Sequence, residues 1–152
     1  PGNYSRAMGE AIKSAAGITL QFLFYAAIMG LVKNSGLVDI LANFFVSISS
    51  AKTLPLFTFW SAGLVNIFIP SGGGQWTVQG PIMMQAADTL NADFAKTAMA
   101  LCWGDSWTNQ IQPFWALPAL SLAGLGIKDI MGYCFTFAIV SGIVISVCFL
   151  VL

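Results

Sequence analysis

Charge is scarce in this chain, and histidine is missing altogether. Of its 152 residues only 8% are charged, six basic and six acidic, whereas soluble domains carry about 25%. So few charges cannot cover the surface of a water-soluble domain of this length, and we therefore expect a membrane protein. The formal net charge of zero also gives no sign of a nucleic-acid partner.

The missing residue types also argue against an enzyme. Without histidine there is neither a Ser-His dyad nor a His-based metal site. The glycine-rich segment at residues 72–74 lacks the Lys-Ser/Thr pair of a phosphate-binding loop. Cys102, Cys134 and Cys148 have no metal-type spacing and are expected to pack as ordinary apolar groups. We predict no catalytic residue, no cofactor and no metal site, and sodium enters only as a candidate coupling ion.

Apolar sequence, by contrast, is abundant. Hydrophobic residues make up 57% of the chain, and its mean hydropathy is +0.80. The charges cluster and leave uncharged stretches at residues 14–32, 53–87, 106–127 and 130–152. A helix needs about 20 apolar residues to cross a bilayer, and all but the second stretch are near that length. The fold class predicted is all-α, with polytopic membrane helices in a single membrane region over residues 1–152.

The charge clusters also divide the chain into elements. Residues 5–16 carry charges at helical spacing, which predicts a helix at the water interface. Residues 17–33 form a first transmembrane helix that ends with Lys33, and Gly36 follows shortly after it. Residues 129–152 form the last transmembrane helix.

Residues 37–50 show an apolar stripe at helical spacing and polar residues on the opposite face. Because fourteen residues are too short to span a bilayer, they predict an amphipathic helix lying in the interface. A helix of the soluble type, packed on a partner subunit, is the alternative interpretation.

The long uncharged stretch has a break at its centre. Pro70 and Ser71 are followed by three glycines, and the arms on either side, residues 54–69 and 77–87, are each too short to cross. We predict a re-entrant helical hairpin over residues 53–89 with its tip at 70–76. A non-helical tip at membrane depth must face protein or a wet cavity. A plain loop outside the membrane is the alternative.

A second break is predicted further along the chain. Residues 91–126 read as a transmembrane helix interrupted at 104–110, where polar side chains precede Pro113 and Pro118. Each proline removes one backbone hydrogen bond from a helix. Asn91 is the predicted N-cap of the first half.

Two breaks in neighbouring elements are typical of secondary transporters, in which half-helix ends and unwound backbone hold substrate and ions. Neither break contains Arg, Lys or His, so a carboxylate would rest on helix N-terminal amides and neutral side chains. That favours a monocarboxylate over a dicarboxylate. The candidate substrate-binding residues are Ser71, Gly72, Gly73, Gly74, Gln75, Trp76, Ser106, Thr108 and Asn109.

Asp105 is an acid far from other charges within an apolar region. An ionisable residue inside a membrane is a functional candidate, and we predict that Asp105 and Asn109 take part in ion coupling. Asp105 would act as a proton carrier or as a sodium ligand. In the alternative interpretation it only caps the following half-helix.

Three segments resemble the bacterial short-chain fatty acid transporter family. They are Ser71-Gly72-Gly73-Gly74-Gln75-Trp76 with Val78-Gln79-Gly80-Pro81, the run from Gly104-Asp105 to Gln112-Pro113-Phe114-Trp115-Ala116-Leu117-Pro118, and Ala123-Gly124-Leu125-Gly126 with Asp129-Ile130-Met131-Gly132. The resemblance covers essentially the whole chain and about the last third of a typical family member.

The resemblance implies a multi-pass carrier in the bacterial inner membrane for short-chain fatty acids such as acetoacetate or butyrate. With the role predicted for Asp105, we expect transport to be coupled to H+ or Na+. It also implies the wider ion transporter superfamily, in which this chain would be the second of two inverted repeats. The expected partners are the monocarboxylate substrate, the lipid bilayer, an N-terminal part of the same transporter that this chain lacks, and a second copy in a homodimer. A related carrier of dicarboxylates, a Na+/H+ exchanger and a non-transporting membrane scaffold remain alternatives.

Overall fold

Helices account for all the regular secondary structure in the part of the chain that the computed structural model describes, residues 2–112 and 116–151. This confirms the all-α prediction. The described helices are α1 (Gly2–Asn34), α2 (Leu37–Ser47), α3 (Leu54–Asn66), α4 (Gly72–Leu90), α5 (Phe94–Asn109), α6 (Leu117–Ala123) and α7 (Ile127–Val151).

The N-terminal residues form one helix rather than two. The predicted boundary between residues 5–16 and 17–33 is absent, because α1 continues from Gly2 to Asn34 without a break. A single interior glycine such as Gly17 costs about 1 kcal/mol, which is too little to end a helix. Gly36, with φ 73°, then turns the chain, and the second half of α1 meets α2 at 57°.

The predicted amphipathic helix at 37–50 is α2, which is shorter, and its buried residues are Val38 and Ala42. Val38 packs in a core cluster with Val65 and Ile69, and Met29 and Val32 of α1 pack against that cluster. The cluster therefore fixes the end of α1 beside the end of α3. The position of α2 in a membrane interface stays a prediction.

Helices α3 and α4 form the two arms around the first predicted break, but the non-helical segment is residues 67–71 rather than 70–76. The three glycines belong to the first turn of α4. Ser71 caps that turn, since its hydroxyl accepts a hydrogen bond from the Gly74 N–H at 3.2 Å. The predicted non-helical tip is therefore wrong for residues 72–76, because a capping residue precedes the glycines and the helix begins at them.

The second predicted break is also displaced. Residues 104–109 are helical, because α5 extends from Phe94 to Asn109. Its N-cap is Asp93 rather than Asn91, which has φ 52° and ends α4. A proline at position 113 has no N–H to donate to the Asn109 carbonyl. Because α5 already ends at Asn109, that helix has no use for this hydrogen bond.

Helix α6 follows the second break, with Pro118 in its first turn. An N–H is not needed there, so Pro118 begins a helix and does not interrupt one. The part of the predicted break that falls on residues 113–115 lies outside the described residues.

Close contacts through glycine hold α3, α5 and α7 together. A methyl group on Gly104 would lie 2.3 Å from the Phe59 carbonyl oxygen, so α5 crosses α3 with backbone nearly against backbone. The Trp107 ring lies against Gly63 of α3 and Gly142 of α7, and its N–H donates to the Ala138 carbonyl at 2.7 Å. The end of α5 is thereby fixed on both sides.

Among the described residues, α7 is long and apolar enough to span a membrane by itself. Residues 22–34 of α1 and helix α2 reach that length and hydropathy only when the bent pair is counted as one span. A polytopic arrangement, with α3 to α6 as re-entrant and broken spans, stays a prediction.

Candidate functional site

The two helix breaks meet where α4 begins and α5 nears its end. A methyl group on Gly72, the first residue of α4, would lie 3.4 Å from one carboxyl oxygen of Asp105 and 3.9 Å from the other. Asp105 is half-buried there. The first N–H groups of a helix have no acceptor within the helix. The backbone N–H groups of Gly72 and Gly73, and the positive end of the α4 dipole, therefore lie near an acidic side chain.

Asn66, the last residue of α3, connects the two breaks. Its side chain is fully buried, and the two hydrogens of its amide nitrogen are shared among three acceptors, the Asp105 carbonyl at 2.7 Å, the Thr108 hydroxyl at 2.9 Å and the Asn109 side-chain oxygen at 2.9 Å. The Asn66 carbonyl in turn accepts from the Gln112 side chain at 2.7 Å. One residue at the end of a hairpin arm therefore positions the last turn of α5.

A second polar network fixes α4 on α3. The buried Gln75 amide donates to the Ala62 carbonyl and to the Gln79 side chain, both at 2.9 Å. Gln79 donates to the Ser61 hydroxyl at 2.8 Å. These bonds join the two arms close to the break, so the hairpin tip is supported by buried polar side chains as well as by apolar packing.

Four buried side-chain oxygens in the two polar networks and at the junction accept no hydrogen bond from the described residues. They are Oδ1 of Asn66, Oε1 of Gln75, Oδ1 of Asp105 and Oε1 of Gln112. Buried polar atoms are nearly always satisfied, so each such oxygen requires a partner such as water or a cation. All four are oxygens, which are the ligands that hard cations prefer.

The candidate residues from the sequence do not all face this junction. Gly72 and Asp105 meet there, Ser71 and Gly74 form the cap, and Asn109 and Thr108 take part in the Asn66 network. Gln75 points to α3, where its amide bonds Ala62. Trp76, 41% exposed, and the exposed Ser106 lie on the outside of their helices, and a methyl group on Gly73 would meet nothing within 4 Å.

Asn66 and Gln112 are site residues that the sequence analysis did not identify. Asn66 ends a largely apolar helix four residues before Pro70, and an amide side chain next to a predicted break is the signal that could have identified it. Gln112 lies beside Pro113 within the family-like segment, but nothing in the sequence pairs it with Asn66.

Replacing Asn66 by leucine should destabilise the junction. The change keeps the approximate volume but removes the donor to the buried Thr108 hydroxyl and to the half-buried Asn109 side-chain oxygen, and each buried group that loses its partner costs about 1–3 kcal/mol. We expect a clearly lower unfolding temperature of the purified protein in detergent. Asn43→Leu, at an exposed position of α2, is the control and should shift stability by no more than about 0.5 kcal/mol. Equal effects of the two changes would contradict the role given to Asn66.

Comparison with known proteins agrees with the transporter interpretation. A family model described as short chain fatty acid transporter matches residues 1–152. A protein of Escherichia coli (strain K12), named as a candidate short-chain fatty acid transporter, is 48% identical over 144 residues, which are 95% of this chain and 33% of that protein. A protein of the same name from Haemophilus influenzae is 47% identical over 136 residues, 90% of this chain and 30% of that protein.

No solved structure matches the chain significantly. The chain spans about a third of the length of these curated relatives. Their names describe transporters, which agrees with the prediction of a transport protein rather than an enzyme, and transport implies a membrane location. The chain belongs to the short-chain fatty acid transporter family.

Proposed function

We propose that this protein carries short-chain monocarboxylates across the bacterial inner membrane, as part of a multi-pass secondary transporter in which a cation at Asp105 accompanies the substrate. The observation that carries the proposal is the position of the Asp105 carboxyl group beside the first residue of α4, where a methyl group on Gly72 would lie 3.4 Å from a carboxyl oxygen. It combines an anion-binding helix end with an acidic group in one place.

The substrate's carboxylate binds at the start of α4 in this proposal. The Gly72 and Gly73 N–H groups and the helix dipole, equivalent to about half a positive charge, attract one anionic group. From residue 53 to residue 95 the chain contains no Arg, Lys or His. A second carboxylate would therefore lack a counter-charge from these elements, and this supports monocarboxylates over dicarboxylates.

Cation coupling follows from the charge of Asp105. Two carboxylates about 4 Å apart repel each other by about 4 kcal/mol at an effective dielectric constant of 20. A proton on Asp105, or a sodium ion held by Asp105 and by the oxygens of Asn66 and Gln112, removes that repulsion. Substrate and cation therefore bind best together, and one of each carries no net charge.

The proposal also includes three partners besides the substrate and the cation. The lipid bilayer surrounds the helices, and an N-terminal part of the full-length transporter supplies the other inverted repeat. A homodimer is the proposed assembly.

The test is uptake of radiolabelled butyrate by liposomes reconstituted with the full-length protein. An inward gradient of H+ or of Na+ should drive accumulation above that of protein-free liposomes, which neutral butyric acid enters by diffusion, and the effective ion identifies the cation. A membrane potential alone should drive none, because the cargo is electroneutral. Absence of accumulation under both gradients would contradict the proposal.

Gly72→Ala tests the placement of the substrate beside Asp105. The added methyl group would lie 3.4 Å from a carboxyl oxygen of Asp105, in the region where the proposal places the substrate's carboxylate and its cation. We expect butyrate affinity to fall about tenfold, which corresponds to about 1.4 kcal/mol.

The control is Gly132→Ala in α7, another helical glycine, where a methyl group meets nothing within 4 Å. Wild-type affinity in both variants would place the substrate elsewhere.

A further inference from the structure

A small cavity lies between α1 and the hairpin tip. Its volume is about 200 Å³, and it is lined by Phe22, Tyr25, Ala26, Met29, Pro70 and Ser71. Ser71 is the N-cap of α4, so one end of the cavity adjoins the helix end proposed to hold the substrate's carboxylate. The α1 wall is largely apolar.

The geometry of this wall is fixed by packing. Met29 packs against the buried cluster of Val38, Val65 and Ile69, which lies at the end of the α3 arm. The second half of α1 is therefore held beside the hairpin tip. A cavity with a polar end at Ser71 and apolar walls fits an amphiphilic molecule rather than an ion.

We propose that this cavity is the binding site for the alkyl tail of the substrate, with Phe22 and Ala26 setting the chain length that is accepted. The proposal rests on the proposed function, because the tail site is useful only if the carboxylate lies at the start of α4. Drug-sized ligands occupy pockets of about 300–1,000 Å³. A cavity of 200 Å³ suits a smaller molecule, namely an unbranched monocarboxylate with a short tail.

Each buried methylene group contributes a factor of about four to affinity. Within the cavity, affinity should therefore rise with chain length until the tail reaches the α1 wall. Beyond that length it should fall, because a longer tail meets the Phe22 ring. The residues of α1 would then decide between acetate, butyrate, hexanoate and octanoate.

The test measures uptake of those four acids by the full-length protein in liposomes. Ala26→Leu fills part of the cavity, and the ratio of hexanoate to acetate uptake should fall by about tenfold, the effect of losing roughly two buried methylene groups. Ala27→Leu is the matched control. Ala27 is the next residue of α1 but borders a different surface depression, near Gly30 and Asn34, and it should keep the wild-type ratio.

Phe22→Ala enlarges the cavity and should extend uptake to octanoate. A gain of substrate cannot result from misfolding, so this variant decides the question if Ala26→Leu is inactive on every acid. An unchanged chain-length profile in Phe22→Ala, with butyrate uptake intact, overturns the tail site and leaves the proposed function standing. Failure of the wild-type protein to take up any of the four acids overturns both.

Discussion

Asp105→Asn is expected to abolish concentrative uptake of butyrate. Asparagine has nearly the same size, but it neither takes up a proton nor contributes a negative charge to a sodium site. The substrate can still bind at the start of α4, because the repulsion from Asp105 is gone as well. Exchange of butyrate between two equal pools should therefore survive while accumulation is lost, a difference that counterflow and gradient-driven uptake measure separately.

Asp88→Asn provides the matched control. Asp88 is an exposed acid near the other end of α4, and the same charge is removed there without touching the junction. It should accumulate butyrate like the wild-type protein. Gradient-driven accumulation by Asp105→Asn at the wild-type level, with both variants equally inserted in the membrane, would exclude Asp105 as the coupling residue.

The second large effect is expected from Gly104→Ala. The new methyl group would lie 2.3 Å from the Phe59 carbonyl oxygen and 2.7 Å from the Ala62 side chain. Since the first of these is backbone, α5 must move away from α3. Overpacking of this kind costs about 3 kcal/mol, more than the gain of about 1 kcal/mol in helix propensity. The unfolding temperature in detergent should fall, and uptake should fall with it because Asp105 is the next residue.

Gly30→Ala is the control for that experiment. Gly30 is also helical, in α1, but a methyl group there meets nothing within 4 Å. It should leave stability unchanged or slightly raised. Wild-type stability of Gly104→Ala would mean that α3 and α5 do not cross as closely as described.

The existence of two helix breaks and their approximate positions could be found from the amino-acid sequence. Long uncharged stretches and the scarcity of charge indicated helices in a membrane, and Pro70 and Ser71 marked the end of the non-helical segment between α3 and α4. The isolated position of Asp105 among apolar residues was sufficient to identify it as a candidate. These features are local in sequence, and local patterns are what helix signals report.

Where each break begins and ends depended on tertiary contacts. Residues 104–109 stay helical because Asn66 and Gly63, both of α3, form hydrogen bonds with Thr108 and its neighbours. The roles of Asn66 and Gln112 are pairings over more than forty residues, which a single sequence does not reveal. The cavity beside Ala26 likewise exists only because the tertiary fold brings α1 beside Pro70 and Ser71.

Protection of a cysteine at the hairpin tip by butyrate tests most directly whether the substrate binds where α4 begins. In the full-length protein with its native cysteines replaced, Ser71→Cys would be labelled by a water-soluble thiol reagent with and without butyrate, and Thr89→Cys, at the far end of α4, would serve as the control. Butyrate should slow labelling of Ser71→Cys and leave Thr89→Cys unchanged. Equal labelling rates at Ser71→Cys with and without butyrate, in a protein that still takes up butyrate, would contradict a substrate site at this helix end.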